Sequence, residues 1–325
     1  MLELFQAIVL GLLQGLTEFL PVSSSGHLQG VPYLLGWDTG SLAFDVLVHT
    51  ATLVAVVTYF RHDLWHLASA GLGIGDHDAR TRRNAWVMIG LLAVGTVPAA
   101  FAGVAFADVF AAAFGSPRAV ALFLYLTAVL LWTAERIRRR RIEGRPIVKA
   151  RMEREGAAEL EDRPVVEDIV DELPLEPADE AELDDLGATD PGRDVDTLRV
   201  RDAVAIGVAQ ALAIFPGISR SGATIAMGMA LGMSRTAAAR FSFLLAVPII
   251  LGATLATLPE IGTRPPGTLD FGPLEIAAGM LAAGLSGYWA ISTLLAVVQR
   301  RDLLGFARYV VVFGTVLLVA TFVRA

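Results

Sequence analysis

The feature that most limits the fold is a series of apolar runs near 2–22, 27–36, 42–60, 84–107, 118–135, 202–216, 222–233, 236–258, 274–298 and 303–323. A helix of about 20 apolar residues crosses a hydrocarbon layer about 30 Å thick, and several of these runs are that long. Of the 325 residues 54% are hydrophobic and 18% charged, and the mean hydropathy is +0.58. Soluble domains carry about 25% charged residues, so an ordinary soluble fold is excluded and an all-α polytopic membrane protein is expected. The absence of cysteine excludes disulfides, thiolate metal sites and a cysteine nucleophile. The first run follows Glu3 with no basic segment before it, so it reads as part of the mature fold and not as a cleaved signal.

Two of the runs are interrupted. Residues 2–22 and 27–36 are separated by Pro21-Val22-Ser23-Ser24-Ser25-Gly26, and 202–216 and 222–233 by Pro216-Gly217-Ile218-Ser219-Arg220-Ser221. Irregular backbone at membrane depth is tolerated where it is buried in protein or lines a polar cavity. Residues 11–26 also align without gaps on 207–222, with identities at Gly11/Gly207, Gln14/Gln210, Leu16/Leu212, Phe19/Phe215, Ser23/Ser219, Ser25/Ser221 and Gly26/Gly222. Paired interruptions in two halves point to a binding site between repeats. The expected architecture is two inverted-topology repeats, each a re-entrant helical hairpin plus three spans: 42–60, 84–107 and 118–135, then 236–258, 274–298 and 303–323. The domain plan is 1–142, an acidic loop at 143–200, and 201–325.

The net charge of −7 is unevenly spread. Residues 151–200 hold 18 acidic and 5 basic residues, leaving 15 acidic and 21 basic elsewhere. This insert has few aromatics and no sustained apolar period, so it is expected to be a solvated, largely disordered loop. The membrane part is basic. In the inverted-repeat topology Arg61, Arg80, Arg82, Arg83, Arg136, Arg138–Arg141, Arg300 and Arg301 share one side, against Arg118, Arg264 and Arg324 on the other. The positive-inside rule makes the first side cytoplasmic, with the acidic loop on it and both termini outside.

Polar groups inside apolar segments mark function by default, because they are expensive there. In the first break these are Gln14, Glu18, Ser23, Ser24, Ser25 and His27. Gln14 and Glu18 are four apart and share a helix face. An imidazole beside a serine-rich turn can act as acid, base or nucleophile. The second break places Arg220 between Ser219 and Ser221, with Thr224 one turn on. A guanidinium forks onto phosphate oxygens, and a following helix N-terminus adds to an anion site. An Arg220–Glu18 ion pair locking the two segments together is compatible with that role. His49, Asp45, Arg235 and Arg240 read as span-end or packing groups.

The stretch from Gln14 to His27 resembles the (E/Q)xxxE plus PxSSSGH signature of the undecaprenyl-diphosphate phosphatase, or bacitracin-resistance protein, family, and Pro216–Thr224 resembles its PGxSRSxxT signature. Residues Ala239–Pro248 are similar to the family as well. The resemblance implies interlocked inverted repeats, and hydrolysis of a polyprenyl (undecaprenyl-type) diphosphate to the monophosphate, which recycles the lipid carrier of cell-envelope glycan synthesis in the cell membrane. It implies a catalytic set of Glu18, Ser24, His27 and Arg220, with Gln14, Ser23, Ser25, Ser219, Ser221 and Thr224 around the substrate. A divalent cation (Mg2+ or Ca2+) is implied too, with Glu18 as a candidate ligand. Glutamine at position 14 removes one metal-binding carboxylate, and the acidic insert replaces a short link.

On this reading the partners are the lipid diphosphate and the bilayer, a homodimer is a candidate assembly, and no nucleic acid is involved. Phosphohistidine, phosphoserine and direct water attack all remain open. The rival reading is a polyprenyl-phosphate transporter or flippase, which broken helices and inverted repeats would suit equally. The other class of membrane lipid phosphatases fits poorly, since it needs a second histidine soon after the Ser-Arg pair and residues 221–240 contain none.

Overall fold

The computed structural model describes residues 1–37, 42–143, 190, 192–262 and 271–324. The acidic insert, read above as a loop, lies outside them except for residue 190 and residues 192–200, which include a short 3-10 turn at Val195–Thr197. Among the described residues there are twelve α-helices and no β-strand: α1 (Leu2–Phe19), α2 (Ser24–Leu35), α3 (Leu42–Tyr59), α4 (Arg61–Leu72), α5 (Ala79–Ala105), α6 (Ala107–Phe114), α7 (Pro117–Glu143), α8 (Val200–Leu212), α9 (Arg220–Ala230), α10 (Arg235–Gly262), α11 (Pro273–Arg300) and α12 (Leu304–Val323).

Among the described residues six helices are long and apolar enough to cross a membrane: α1, α5, α7, α10, α11 and α12. Their outer faces are apolar, with Val104, Leu285, Val312 and Phe322 all exposed, as a lipid solvent allows. The chain is a multi-pass membrane protein. Helix α1, expected as the first arm of a hairpin, has span length by itself. The expected span 42–60 is α3, which bends by 73° into α4. The bend follows from composition: the run turns polar at Arg61-His62-Asp63, which leaves the apolar layer and continues as a separate helix ending on Gly73 in the left-handed conformation (φ 71°). Asp78 then caps α5, accepting the Thr81 N–H at 2.7 Å; that bond holds its carboxyl below the usual aspartate value.

Packing joins elements distant in sequence. Helix α1 lies along α11 and α8 along α5, while α3 packs on α11 and on α10, α5 on α10, and α7 on both α9 and α12. Glycines set the closest of these approaches. A Cβ on Gly11 would sit 2.1 Å from the Gly279 carbonyl oxygen, and one on Gly207 would sit 2.5 Å from that of Gly95. Backbones meet there with no room for a side chain. The main core is built from Phe19, Phe60, Leu124, Leu131, Ile225, Phe241 and Phe243, contributed by four helices and the bend at Phe60.

A second set of interactions ties the arginine-rich helix ends together. Glu135, 1% exposed, accepts Nε–H and Nη2–H of Arg235 at 2.7 and 2.8 Å and the Leu303 N–H at 3.0 Å. Asp190, where the described chain resumes after the insert, pairs with Arg138 and accepts the Thr236 N–H at 2.8 Å. Arg141 donates to the Ala230 carbonyl at 2.9 Å and satisfies the C-terminus of α9. Helices α7, α9, α10 and α12 are thereby fixed at the end of α9 remote from Arg220.

Candidate active site

Both breaks use the same local device. Ser23 and Ser219 are N-caps whose hydroxyls accept the N–H of Gly26 at 3.2 Å and of Gly222 at 3.0 Å, satisfying donors that a helix start leaves free. In each the cap serine sits beside the serine two positions on, at 3.3 Å for Ser23–Ser25 and 3.2 Å for Ser219–Ser221. The breaks are stitched to each other and to α7. Ser221 donates to the Leu20 carbonyl at 3.0 Å, Gly217 N–H donates to Ser25 at 3.3 Å, and the Thr127 hydroxyl bridges Gly217 and Ser219 at 2.9 Å each. Gly217 has φ 100° and its missing Cβ would lie 2.4 Å from the Val120 carbonyl, so only glycine fits against α7.

At the junction Glu18 is 7% exposed. Its Oε1 accepts Nη2–H of Arg220 at 2.8 Å, and its Oε2 accepts the Ser24 hydroxyl at 2.6 Å and the Gln14 amide at 3.0 Å. His49 Nε2 approaches the same Oε2 at 3.6 Å from α3, with Nδ1–H donated to the Asp45 carbonyl at 2.6 Å. Arg220 also donates Nη1–H to the Ser242 carbonyl at 3.1 Å, which orients its plane. A buried charge is stable only when paired and hydrogen-bonded, and both groups meet that condition.

The pair opens onto a cavity of about 390 Å3. Glu18, Ser24, Ser25, Asp45, His49, Ser219 and Arg220 line it together with Gln29, Thr254 and Thr257, and apolar side chains that include Phe114, Ile214, Ile218, Ile249 and Ile250 complete the wall. Such a cavity suits a ligand with an anionic head and a hydrocarbon tail.

The structure therefore brings Gln14, Glu18, Ser24 and Arg220 into one hydrogen-bonded set, with Ser25 and Ser219 on the same cavity. Ser23, Ser221 and Thr224 brace the backbone instead; the Thr224 hydroxyl lies 2.6 Å from that of Ser242. His27 is 1% exposed and faces away from the cavity, toward Tyr309 at 2.8 Å and the Phe313 ring at 4.2 Å between centroids. Ser23 has φ 73° and ψ 98°, the only non-glycine positive φ among the described residues. Such a conformation costs about 1–3 kcal/mol and clusters at functional sites. His49 and Asp45, which the sequence suggests as packing groups, carry a signal in their spacing of four within an apolar helix; Ser242 falls in the family-like stretch Ala239–Pro248, and nothing in the sequence marks Tyr309.

A divalent cation can be weighed against the donors present. Among the described residues no cluster of three or more His, Asp or Glu could hold a metal, so there is no closed protein cage. Glu18 and Asp45 are the two carboxylates on the cavity wall, and Gln14 Oε1, behind it, is buried without a hydrogen-bond partner. One or two protein oxygens completed by substrate phosphates is how Mg2+ is commonly held, and this donor set fits that kind of site.

Comparison with known proteins gives a consistent answer over the whole chain. Residues 7–160 and 180–316 match the family described as Bacitracin resistance protein BacA. The undecaprenyl-diphosphatase of Moorella thermoacetica is 36% identical over 321 residues, covering 99% of this chain and 98% of the relative. That of Syntrophotalea carbinolica is 38% identical over 314 residues, covering 96% and 97%, and that of Rubrobacter xylanophilus is 37% identical over 318 residues, covering 95% of each. With two signature breaks that converge on one buried carboxylate–guanidinium pair and full-length relatives at this identity, the chain belongs to the bacitracin-resistance protein BacA family.

Proposed function

We propose that this protein is an integral membrane phosphatase that hydrolyses undecaprenyl diphosphate to undecaprenyl phosphate and inorganic phosphate, returning the lipid carrier to cell-envelope glycan synthesis. The observation that carries this reading is the Ser24 hydroxyl, 2.6 Å from Glu18, whose other oxygen is held by Arg220 at 2.8 Å on the wall of a cavity lined by both polar and apolar side chains. Full-length relatives named undecaprenyl-diphosphatase support it.

In this mechanism Glu18 takes the Ser24 proton as Oγ bonds to the terminal phosphorus, and the bond from phosphorus to the bridging oxygen breaks, releasing the lipid monophosphate. Glu18 gives that proton up to the departing monophosphate or to solvent. Water then attacks the phosphoserine, and Glu18 takes one of its protons and passes it to Ser24 Oγ as the bond from phosphorus to Oγ breaks, freeing phosphate and Ser24. Arg220 neutralises charge on the transferring group, the principal task in phosphoryl transfer. Gln14 keeps Glu18 turned toward Ser24. A divalent cation, held by Glu18 and Asp45 with the phosphates, would add positive charge there. The Phe114, Ile214 and Ile249 side would take the proximal prenyl units.

The inverted-repeat reading is supported by the exchange of partners: α1 on α11 against α8 on α5, and α3 on α11 against α10 on α5. The glycine contacts Gly11–Gly279 and Gly207–Gly95 follow the same exchange. On this reading the protein sits in the cell membrane, with the arginine-rich helix ends cytoplasmic and both termini outside.

The test is phosphate release by purified protein in detergent micelles, where a transporter has no gradient and no second side. Release from undecaprenyl diphosphate, lowered by chelator and restored by Mg2+ or Ca2+, is expected. Absence of release with and without cation would refute the phosphatase and favour the transporter.

A further inference from the structure

We infer that His27 and Tyr309 form a positioning relay that sets the Ser24 hydroxyl through the backbone, with His27 taking no chemical part in the reaction. The inference rests on the phosphatase reading above and assigns a role to a residue, Tyr309, 282 positions from its partner.

His27 Nδ1 lies 2.7 Å from the Ser23 carbonyl oxygen. A carbonyl only accepts, so that nitrogen carries the proton; in the neutral ring Nε2 then offers its lone pair to the Tyr309 hydroxyl, which donates across 2.8 Å. The imidazole is stacked on Phe313 with the planes 4° apart, and the Tyr309 ring is parallel at 5.6 Å. Both ring nitrogens are occupied, and the ring is absent from the cavity wall. Neither nitrogen is placed to attack phosphorus or to receive the Ser24 proton.

What His27 holds is the carbonyl of the one non-glycine residue with positive φ, Ser23 at φ 73° and ψ 98°. That carbonyl belongs to the peptide unit joining Ser23 to Ser24. It accepts both the His27 backbone N–H at 3.2 Å and the ring Nδ1–H, which fixes its direction. Relaxation of Ser23 to an ordinary backbone conformation would swing this peptide and carry Ser24 Oγ away from Glu18. Tyr309 and Phe313 keep the imidazole in place from α12, against which α2 is pressed at Gly30, where a Cβ would lie 2.9 Å from the Phe313 ring.

The experiment measures kcat and KM for undecaprenyl diphosphate in wild type, Tyr309→Phe, His27→Asn and His27→Ala, with thermal melts and gel filtration confirming folded protein. The asparagine amide nitrogen can reach the Ser23 carbonyl as Nδ1 does, yet it can be neither nucleophile nor base. Since small displacements of a reacting group are costly, Tyr309→Phe should lower kcat about fivefold with KM within about twofold of wild type. His27→Asn should retain at least about tenfold more activity than His27→Ala, with the wild-type pH–rate profile. The relay is overturned if His27→Asn is no more active than His27→Ala, if Tyr309→Phe has unchanged kcat, or if an acid-labile phosphohistidine is trapped at position 27. An inactive wild type would refute the phosphatase reading; an active wild type with any of those three results refutes the relay alone.

Discussion

The two breaks share a scaffold and differ in chemistry. Ser23 and Ser219 cap the following helices in the same way, and Gly11 and Gly207 press on glycines of α11 and α5 in the same way. At the aligned positions between, Glu18 stands against Ile214, Ser24 against Arg220 and His27 against Ala223. One break carries the carboxylate and hydroxyl, and the other carries the cation and an apolar wall. The first is also the strained one, with a serine at φ 73°, whereas Ser219 is extended at φ −69° and the left-handed position falls to Gly217. A similar turn therefore serves the architecture in both places, and the proposed mechanism needs the two to be unequal, each supplying what the other lacks.

The comparison is broken most severely at Arg220. Arg220→Ala should lower kcat/KM for the lipid diphosphate about 1,000-fold, measured as phosphate release, because it removes the cation opposite the developing charge. If activity stays within about tenfold of wild type, the second break contributes no catalytic group. Next come the matched glycines. Gly11→Ala and Gly207→Ala should each destabilise by about 1–3 kcal/mol, read from thermal unfolding in detergent, with Gly11 the more sensitive because its Cβ would come closer. A large effect at only one would show that the scaffold is not shared. Ile214→Ala, at the place of Glu18 in the other break, should raise KM for the lipid about fivefold through lost apolar contact and leave kcat unchanged. A short-chain, water-soluble diphosphate should not register it. The smallest effect is expected at Gly252, where a Cβ meets nothing within 4 Å; Gly252→Ala should be neutral or stabilising by up to about 1 kcal/mol.

The spans and the breaks were legible because lipid solvent imposes a long apolar run and makes any polar interruption costly. The pairing of Glu18 with Arg220 was legible for the same reason, as two opposite charges in two interruptions. What could not be read depends on helix rotation and crossing. Position 49 reaches Glu18 only because α3 lies against α1 and α11, and His27 turns toward Tyr309 only because α2 rests on α12. The division of 42–72 into two helices with a 73° bend was marked by Arg61-His62-Asp63 but not by any proline or glycine. Glu135 pairs with Arg235 across 100 positions, a distance at which charge patterning has no resolving power.

The packing of α1 on α11 and of α8 on α5 has a consequence for biogenesis. Glu18 and Arg220 are 202 residues apart, so at about 5–20 residues per second the guanidinium leaves the ribosome roughly 10–40 s after the carboxyl. Throughout that interval the first break lacks its counter-ion, its stitches at Gly217 and Ser221, and the helix against which α1 is seated. A nascent or truncated chain ending before α11 lacks the helix that seats α1, and on the proposed mechanism it is expected to release no phosphate from the lipid carrier until the remaining helices have entered the bilayer.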